Sequence, residues 1–203
     1  MINIAVLVSG GGTNLGALIK ACDTGLLKSG RLCLVVSSNP SAYALERAEN
    51  AGIKKVVLQR KGKTPEEYGD EICAVLKSEN IDLVVLAGFM CILGGTLLEE
   101  YRNRIINVHP SLIPSFCGEG FYGLRVHEAA LAYGVKVSGA TVHIVTDVVD
   151  GGKILKQKAV DVLPDDTAET LQQRIMTECE QIILPEAVEE LCACMLLEKQ
   201  ENF

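Results

Sequence analysis

Asn107 and His109 stand two residues apart in "IINVHPSLIPSF", residues 105–116. On an extended segment, residues i and i+2 point to the same side. An amide N–H and an imidazole N–H placed that way can both donate to a carbonyl oxygen as it takes on negative charge. Pro110 biases His109 toward extended geometry and turns the chain away. A histidine that handles protons near neutral pH gains from a nearby carboxylate. Asp150 in "DGGK" and Asp147 are the candidates, and spacing alone places neither beside His109. The plain alternative is a histidine that finishes a turn.

A second candidate is "SGGGTN", Ser9 to Asn14, between an apolar run and a helical pattern. Glycines allow a sharp turn and a close backbone approach, and a helix start offers free N–H groups and a positive dipole end that suit phosphate. Thr13 and Asn14 add side-chain donors. No Lys-Ser/Thr follows the glycines, so this is no P-loop. The dinucleotide fingerprint also fails. Its third glycine would fall at Leu15, and "SSNP" stands where the ribose acid is usual. A phosphate or phosphosugar is favoured over NAD, with a plain glycine-rich turn as the bland alternative.

Other chemistries are weaker. Ser111 lies in no G-x-S-x-G elbow. His109, His127 and His143 show no helical i, i+4 pair with a glutamate, so no metal site is expected. His143, in "ATVHIV", reads as a structural strand residue, and His127 as a surface or packing residue of a helix.

The elements that must position these residues alternate in the first half. "NIAVLVSG", "RLCLVVSSN", "IKKVVLQ" and "IDLVVLAGFM" read as strands. "TNLGALIKACDTG", "SAYALERAENAG" and "TPEEYGDEICAVLKSEN" read as helices, the last with a Thr64–Glu67 capping box and Pro65 in its first turn. Continuous apolar runs imply strands buried on both faces. The expected fold is α/β: a doubly wound, mostly parallel, Rossmann-like sheet with its ligand crevice at the carboxyl ends of the strands. In the second half, "RIINVH" is a fifth strand, followed by a Gly-, Pro- and aromatic-rich loop over 110–123. "GLRVHEAALAYG" is a helix. "SGATVHIVTDVVDGGKILKQKAVDV" is an antiparallel hairpin turning near Asp150-Gly151-Gly152. The last pattern is a long helix broken or kinked at Pro185. No linker or repeat divides residues 1–203.

Composition narrows the partners. The chain has 203 residues, a net charge of −7 and no basic stripe, which disfavours nucleic acid. None of its eight cysteines forms a C-x-x-C pair, and they read as small buried hydrophobes in a reducing compartment. No signal peptide or membrane-length apolar run is present, so a cytoplasmic protein is expected.

Five stretches carry a resemblance: "VLVSGGGTNL", "VVLAGFMCIL", "INVHPSLIPSF", "GATVHIVTDVVDGGKIL" and "CEQIILP". In this order and spacing the sequence resembles the phosphoribosylglycinamide formyltransferase family over nearly its whole length. The resemblance implies that the amine of glycinamide ribonucleotide takes the formyl group of 10-formyltetrahydrofolate, in purine synthesis and with no metal. It implies a catalytic set of Asn107, His109 and Asp150. Gly12, Thr13, Asn14 and Glu180 would hold the ribonucleotide. Met90, Cys91, Ile92 and Leu93, with Asn107, Thr146, Asp147 and Asp150, would border the folate. Residues 1–100 would form the phosphoribosyl-binding half and residues 101–203 the catalytic and folate-binding half, in a monomer or homodimer.

The sequence departs from the family at Cys91 and Pro65, where basic residues are common, although Lys61 and Lys63 are close. The loop "SFCGEGFYGLRVH" is long and could serve as a lid. Two rivals stand beside this reading. One is another formyl-folate enzyme, a hydrolase, a methionyl-tRNA formyltransferase or a sugar-nucleotide N-formyltransferase, sharing the Asn-x-His plus Asp core. The other is a non-catalytic nucleotide-binding module.

Overall fold

A computed structural model describes residues 1–201; the last two residues of the expected 1–203 unit lie outside the described residues. The chain runs β1 (Ile2–Val8), α1 (Thr13–Asp23), β2 (Gly30–Ser37), α2 (Ala44–Asn50), β3 (Lys54–Val57), α3 (Pro65–Ser78), β4 (Leu83–Leu86), α4 (Thr96–Glu100) and β5 (Ile105–His109). It continues with α5 (Leu124–Tyr133), β6 (Val137–Ile144), β7 (Ile154–Asp161), α6 (Ala168–Ile175), a π turn (Met176–Glu180) and α7 (Gln181–Glu201).

One seven-stranded sheet holds the order β3-β2-β1-β4-β5-β6-β7. The first five strands pair in parallel, whereas β6 runs antiparallel to β5 and to β7. The continuous apolar runs account for the buried strands. All four residues of β4 are buried, and alternate side chains feed two cores. Leu83, Val85, Ile106 and Val108 join the core beneath α1 and α7, while Val84, Leu86 and Ile105 join the one beneath α3 and α4. Each buried Val, Leu or Ile contributes about 1.5–3 kcal/mol. The period of two then sends Asn107 and His109 to the face opposite α7.

Helix α3 starts as its sequence dictates. The Thr64 hydroxyl accepts from the Glu67 N–H, and the Glu67 side chain accepts from the Thr64 N–H. Gly69 on this helix lies against the chain at Gly94, where a Cβ would sit 2.0 Å from the Gly94 carbonyl oxygen.

Three local expectations are corrected. The β6–β7 connection is no tight turn at 150–152: the strands end at Ile144 and start again at Ile154, so nine residues, 145–153, are free to fold over the sheet. The short helix α4 was not expected, being only five residues long. The final helix is not broken at Pro185, which lies inside α7. The interruption comes earlier, at the π turn, where the widened backbone precedes the proline that lacks an N–H.

Candidate active site

Strand β5 delivers Asn107 and His109, and the antiparallel partner β6 supplies a third group. Asn107 is paired with His143 and His109 with Thr141 across the ladder. The 145–153 loop then folds back to put Asp150 over both imidazoles. Its Oδ2 is 3.4 Å from His109 Nδ1 and its Oδ1 is 3.5 Å from His143 Nε2. Asp150 holds a left-handed φ of 55°, a conformation that aspartate tolerates better than most residues. Asn107, His109 and Asp150 therefore meet, 43 residues apart in sequence at the widest.

Hydrogen bonds fix each member. His143 Nδ1–H donates to the Ile144 carbonyl at 2.9 Å. Its Nε2 lies 3.2 Å from Asn107 Nδ2, so as a lone pair it accepts the amide N–H. As an N–H it faces Asp150 instead. Asp150 Oδ2 also accepts the Gly118 backbone N–H at 2.9 Å, tying the 110–123 loop to the carboxylate. His109 Nε2 lies 2.9 Å from the Phe116 carbonyl and donates to it. Thr141 anchors the chain just after β5: its hydroxyl donates to the Ser111 carbonyl at 2.6 Å and accepts the Ile113 N–H at 3.1 Å. Ser111 is fully buried with its hydroxyl on the Ser115 carbonyl, a structural role.

At His109 the Asp150 carboxylate favours the charged ring as expected, but burial outweighs it. Burial lowers the His109 pKa, and the Phe116 carbonyl and Asp150, which both favour the charged ring, do not make up the difference. The imidazole therefore leans toward its neutral form. For Asp150 burial pushes upward, but His143, the Gly118 N–H and the positive charge the two rings can carry prevail, and its carboxyl stays below the usual carboxylate range. The negative charge of the cluster sits on Asp150.

A second cluster forms at the carboxyl end of β1. Gly12 adopts φ 68° and a Cβ there would lie 2.6 Å from that of Ala44, so both conformation and space call for glycine. Arg47 Nε donates to the Gly11 carbonyl at 2.9 Å, and the Ser9 hydroxyl accepts the Met90 N–H at 2.9 Å. The turn is thus clamped from both sides. No side chain caps α1, so the N–H groups of its first turn, at Thr13 and Asn14, have no capping acceptor, and such groups suit an anion. Asn14 donates its Nδ2–H to Glu180 Oε2 at 2.7 Å, across 166 residues. The π turn carries Glu180 into this buried position, and burial raises its pKa despite the Asn14 bond. The Asn14 Oδ1 is buried without a hydrogen-bond partner among the described residues.

The expected folate border is less closely gathered. Met90 and Ile92 are about half exposed, whereas Cys91 and Leu93 pack against the α3 core. Thr146 accepts the Val148 N–H in an exposed turn, beside exposed Asp147. No hydrogen bond joins residues 90–93 to residues 146–150 among the described residues. Lys63, a candidate for the missing basic contact, is paired with Glu71. Sequence reasoning placed His143 among structural residues and had no place for the Phe116 carbonyl or the Gly118 N–H. The signal for His143 was its membership of the stretch "GATVHIVTDVVDGGKIL".

Among the described residues no helix is long and apolar enough to cross a membrane, and no group of three or more His, Cys, Asp or Glu is arranged to hold a metal.

Comparison with known proteins agrees with this architecture. The formyl transferase family matches residues 2–188. A phosphoribosylglycinamide formyltransferase of Escherichia coli is 39% identical over 178 residues, covering 87% of this chain and 81% of its own length. The trifunctional purine biosynthetic protein adenosine-3 of Drosophila melanogaster is 43% identical over 174 residues and 85% of this chain; the chain spans 12% of that protein's length. The crystal structure of glycinamide ribonucleotide transformylase 1 from Symbiobacterium toebii superposes with a TM-score of 0.87 at 42% identity, covering 95% of this chain and 88% of the other. With the catalytic cluster built on β5, β6 and the following loop, the chain belongs to the formyl transferase family, among the phosphoribosylglycinamide formyltransferases.

Proposed function

We propose that this chain transfers the formyl group of 10-formyltetrahydrofolate to the amine of glycinamide ribonucleotide, giving formylglycinamide ribonucleotide and tetrahydrofolate in purine synthesis. The observation that carries the reading is the Asn107–His109–His143–Asp150 cluster beside a loop able to move. The family relatives named as phosphoribosylglycinamide formyltransferases support it.

In this reading the amine attacks the formyl carbon, and the carbonyl oxygen gains negative charge. Asn107 keeps one N–H for that oxygen while its other N–H is held by His143. His109, leaning neutral, is suited to take the proton released by the new ammonium and pass it to the departing N10. Asp150, ionised beside it, stabilises the imidazolium while it lasts. The Phe116 carbonyl occupies His109 Nε2 in this structure, so the 110–123 loop must withdraw it before that nitrogen can face substrate. Glycines 118, 120 and 123, all at positive φ, give that loop room to change.

Gly12, Thr13 and Asn14 would hold the ribonucleotide phosphate by N–H groups of α1. Glu180 and the unpartnered Asn14 Oδ1 would take ribose hydroxyls. Met90, Cys91, Ile92, Leu93, Thr146, Asp147 and Asp150 would border the folate, with the exposed apolar surface of Met90, Ile92 and Val148 covered on binding. The whole forms one unit over 1–203, with a phosphoribosyl half to residue 100 and a catalytic half beyond it. Glu180 crosses between them. The reading asks for no metal, because an amide N–H can stabilise the oxyanion and an imidazole beside a carboxylate can carry the proton. Eight free thiols fit a reducing cytoplasm, and an acidic chain fits small-molecule substrates rather than nucleic acid or membrane, in a monomer or homodimer.

The test is a spectrophotometric assay with 10-formyltetrahydrofolate, with and without glycinamide ribonucleotide. Turnover is expected only when the ribonucleotide is present; equal turnover without it would make the protein a hydrolase. His109→Ala should lower kcat by about 10²–10⁴-fold while ribonucleotide binding survives.

A further inference from the structure

A cavity of about 720 Å³ opens on the α7 side of the sheet, the face opposite to that bearing Asn107, His109 and His143. It lies where β4 and β5 begin, whereas the candidate active site uses the carboxyl ends of the parallel strands. Four basic side chains line it: Arg102 and Arg104 from the α4–β5 connection, Lys153 at the start of β7, and Lys199 near the end of α7. Only two acids, Asp82 and Glu198, line it with them. Acids outnumber bases 26 to 19 in the whole chain, so this concentration of positive charge runs against the composition.

Three of the four cations form no ion pair among the described residues. Arg104 donates to the carbonyls of Glu100 and Asp82 and lies 4.9 Å over the Tyr101 ring. Those partners fix the guanidinium without cancelling its charge. Arg102 and Lys153 form no ion pair among the described residues; Lys199 is paired with Asp82 at 2.7 Å. Beneath them the floor is aliphatic, made by Ile144, Leu155, Leu191 and Met195.

We propose that this cavity is a second ligand site, and that it takes a nucleoside phosphate. The space is in the range that holds a whole small organic ligand, far more than inorganic phosphate needs. The aliphatic floor suits a flat base, and the two arginines with Lys153 suit a phosphate. A fatty acid would bring a single carboxylate to these cations, whereas a phosphate brings more charge and more acceptor oxygens. The inference is independent of the formyl-transfer reading, because no side chain assigned to that site lines the cavity.

The experiment is an NMR titration of the full chain with adenosine 5′-monophosphate, followed at backbone amides, with inorganic phosphate in parallel. Saturable shifts are expected at Asn103, Arg104, Lys153 and Leu191, with weaker effects from phosphate alone. Arg102→Glu and Lys199→Glu, both on exposed side chains, should weaken these shifts at least about tenfold, about 1.4 kcal/mol, while formyl transfer keeps its basal rate. Shifts confined to Gly10–Leu15, equal binding by phosphate alone, or shifts unchanged in both charge-reversed variants would overturn the proposal.

Discussion

At the scale of single residues, the candidate site divides its charge unevenly. Asp150 is held ionised, while burial keeps His109 below the ordinary histidine value even with Asp150 beside it. Asp150→Asn removes one of the two influences that raise His109, so the acid limb of kcat/KM should move to lower pH. The rate should also fall, by about 10²-fold, as the carboxylate that stabilises the imidazolium is lost. A pH–rate profile of the variant checks both, and an unmoved acid limb would separate Asp150 from His109. His143 is predicted to act through its neighbours. His143→Ala frees the Asn107 amide to rotate, so kcat should drop while the ribonucleotide KM holds. His143→Gln should restore part of the rate, since a glutamine oxygen can accept the Asn107 N–H. Of this cluster, the Asn107–His109 pair was legible, because a two-residue spacing on a strand fixes a shared side. His143 was not, because its meeting with Asn107 depends on the β5–β6 register, set across 36 residues.

At the scale of elements, local signals were readable where the physics is local. The capping box of α3 lies within four consecutive residues, and it formed as written. Thr64→Ala should therefore cost about 1 kcal/mol, read as a lower urea midpoint. The π turn at Met176–Glu180 was hidden, since no residue pattern distinguishes five widened residues from an α-helix. Pro185 was visible but misleading: it lies inside α7, and the interruption falls before it, at the π turn. The π turn matters because it carries Glu180 to Asn14. Burial raises the Glu180 carboxyl, so the folded protein binds its proton more tightly than the unfolded chain. Its contribution to stability is greatest at low pH and declines as pH rises through the raised value. Glu180→Gln removes that buried charge yet can still accept the Asn14 N–H. Stability at neutral pH should hold or rise, while the ribonucleotide KM increases; steady-state kinetics beside urea unfolding separates the two.

At the scale of the whole molecule, the α/β sheet was legible because long apolar runs can only be buried strands. The fold-back of residues 145–153 was not, because it depends on how distant segments pack. His127 shows what such packing imposes. Its place on α5 was readable from helical spacing, but its complete burial was not, and both ring nitrogens lack partners among the described residues. Burial, reinforced by repulsion from His109, takes its pKa from 6.5 to about 4. The unfolded chain therefore binds a proton in this range that the native protein refuses. Stability is fully present above 6.5 and is lost as pH falls toward about 4. His109, also lowered by burial, adds a loss of the same sign. His127→Leu removes one contribution and also removes two unpartnered buried nitrogens at similar side-chain volume. The variant should be at least as stable as the wild type at neutral pH, and its urea midpoint should fall less on acidification, with a residual slope left by His109. An acid-dependent loss identical in both proteins would show that His127 gains a partner or a proton in the native state.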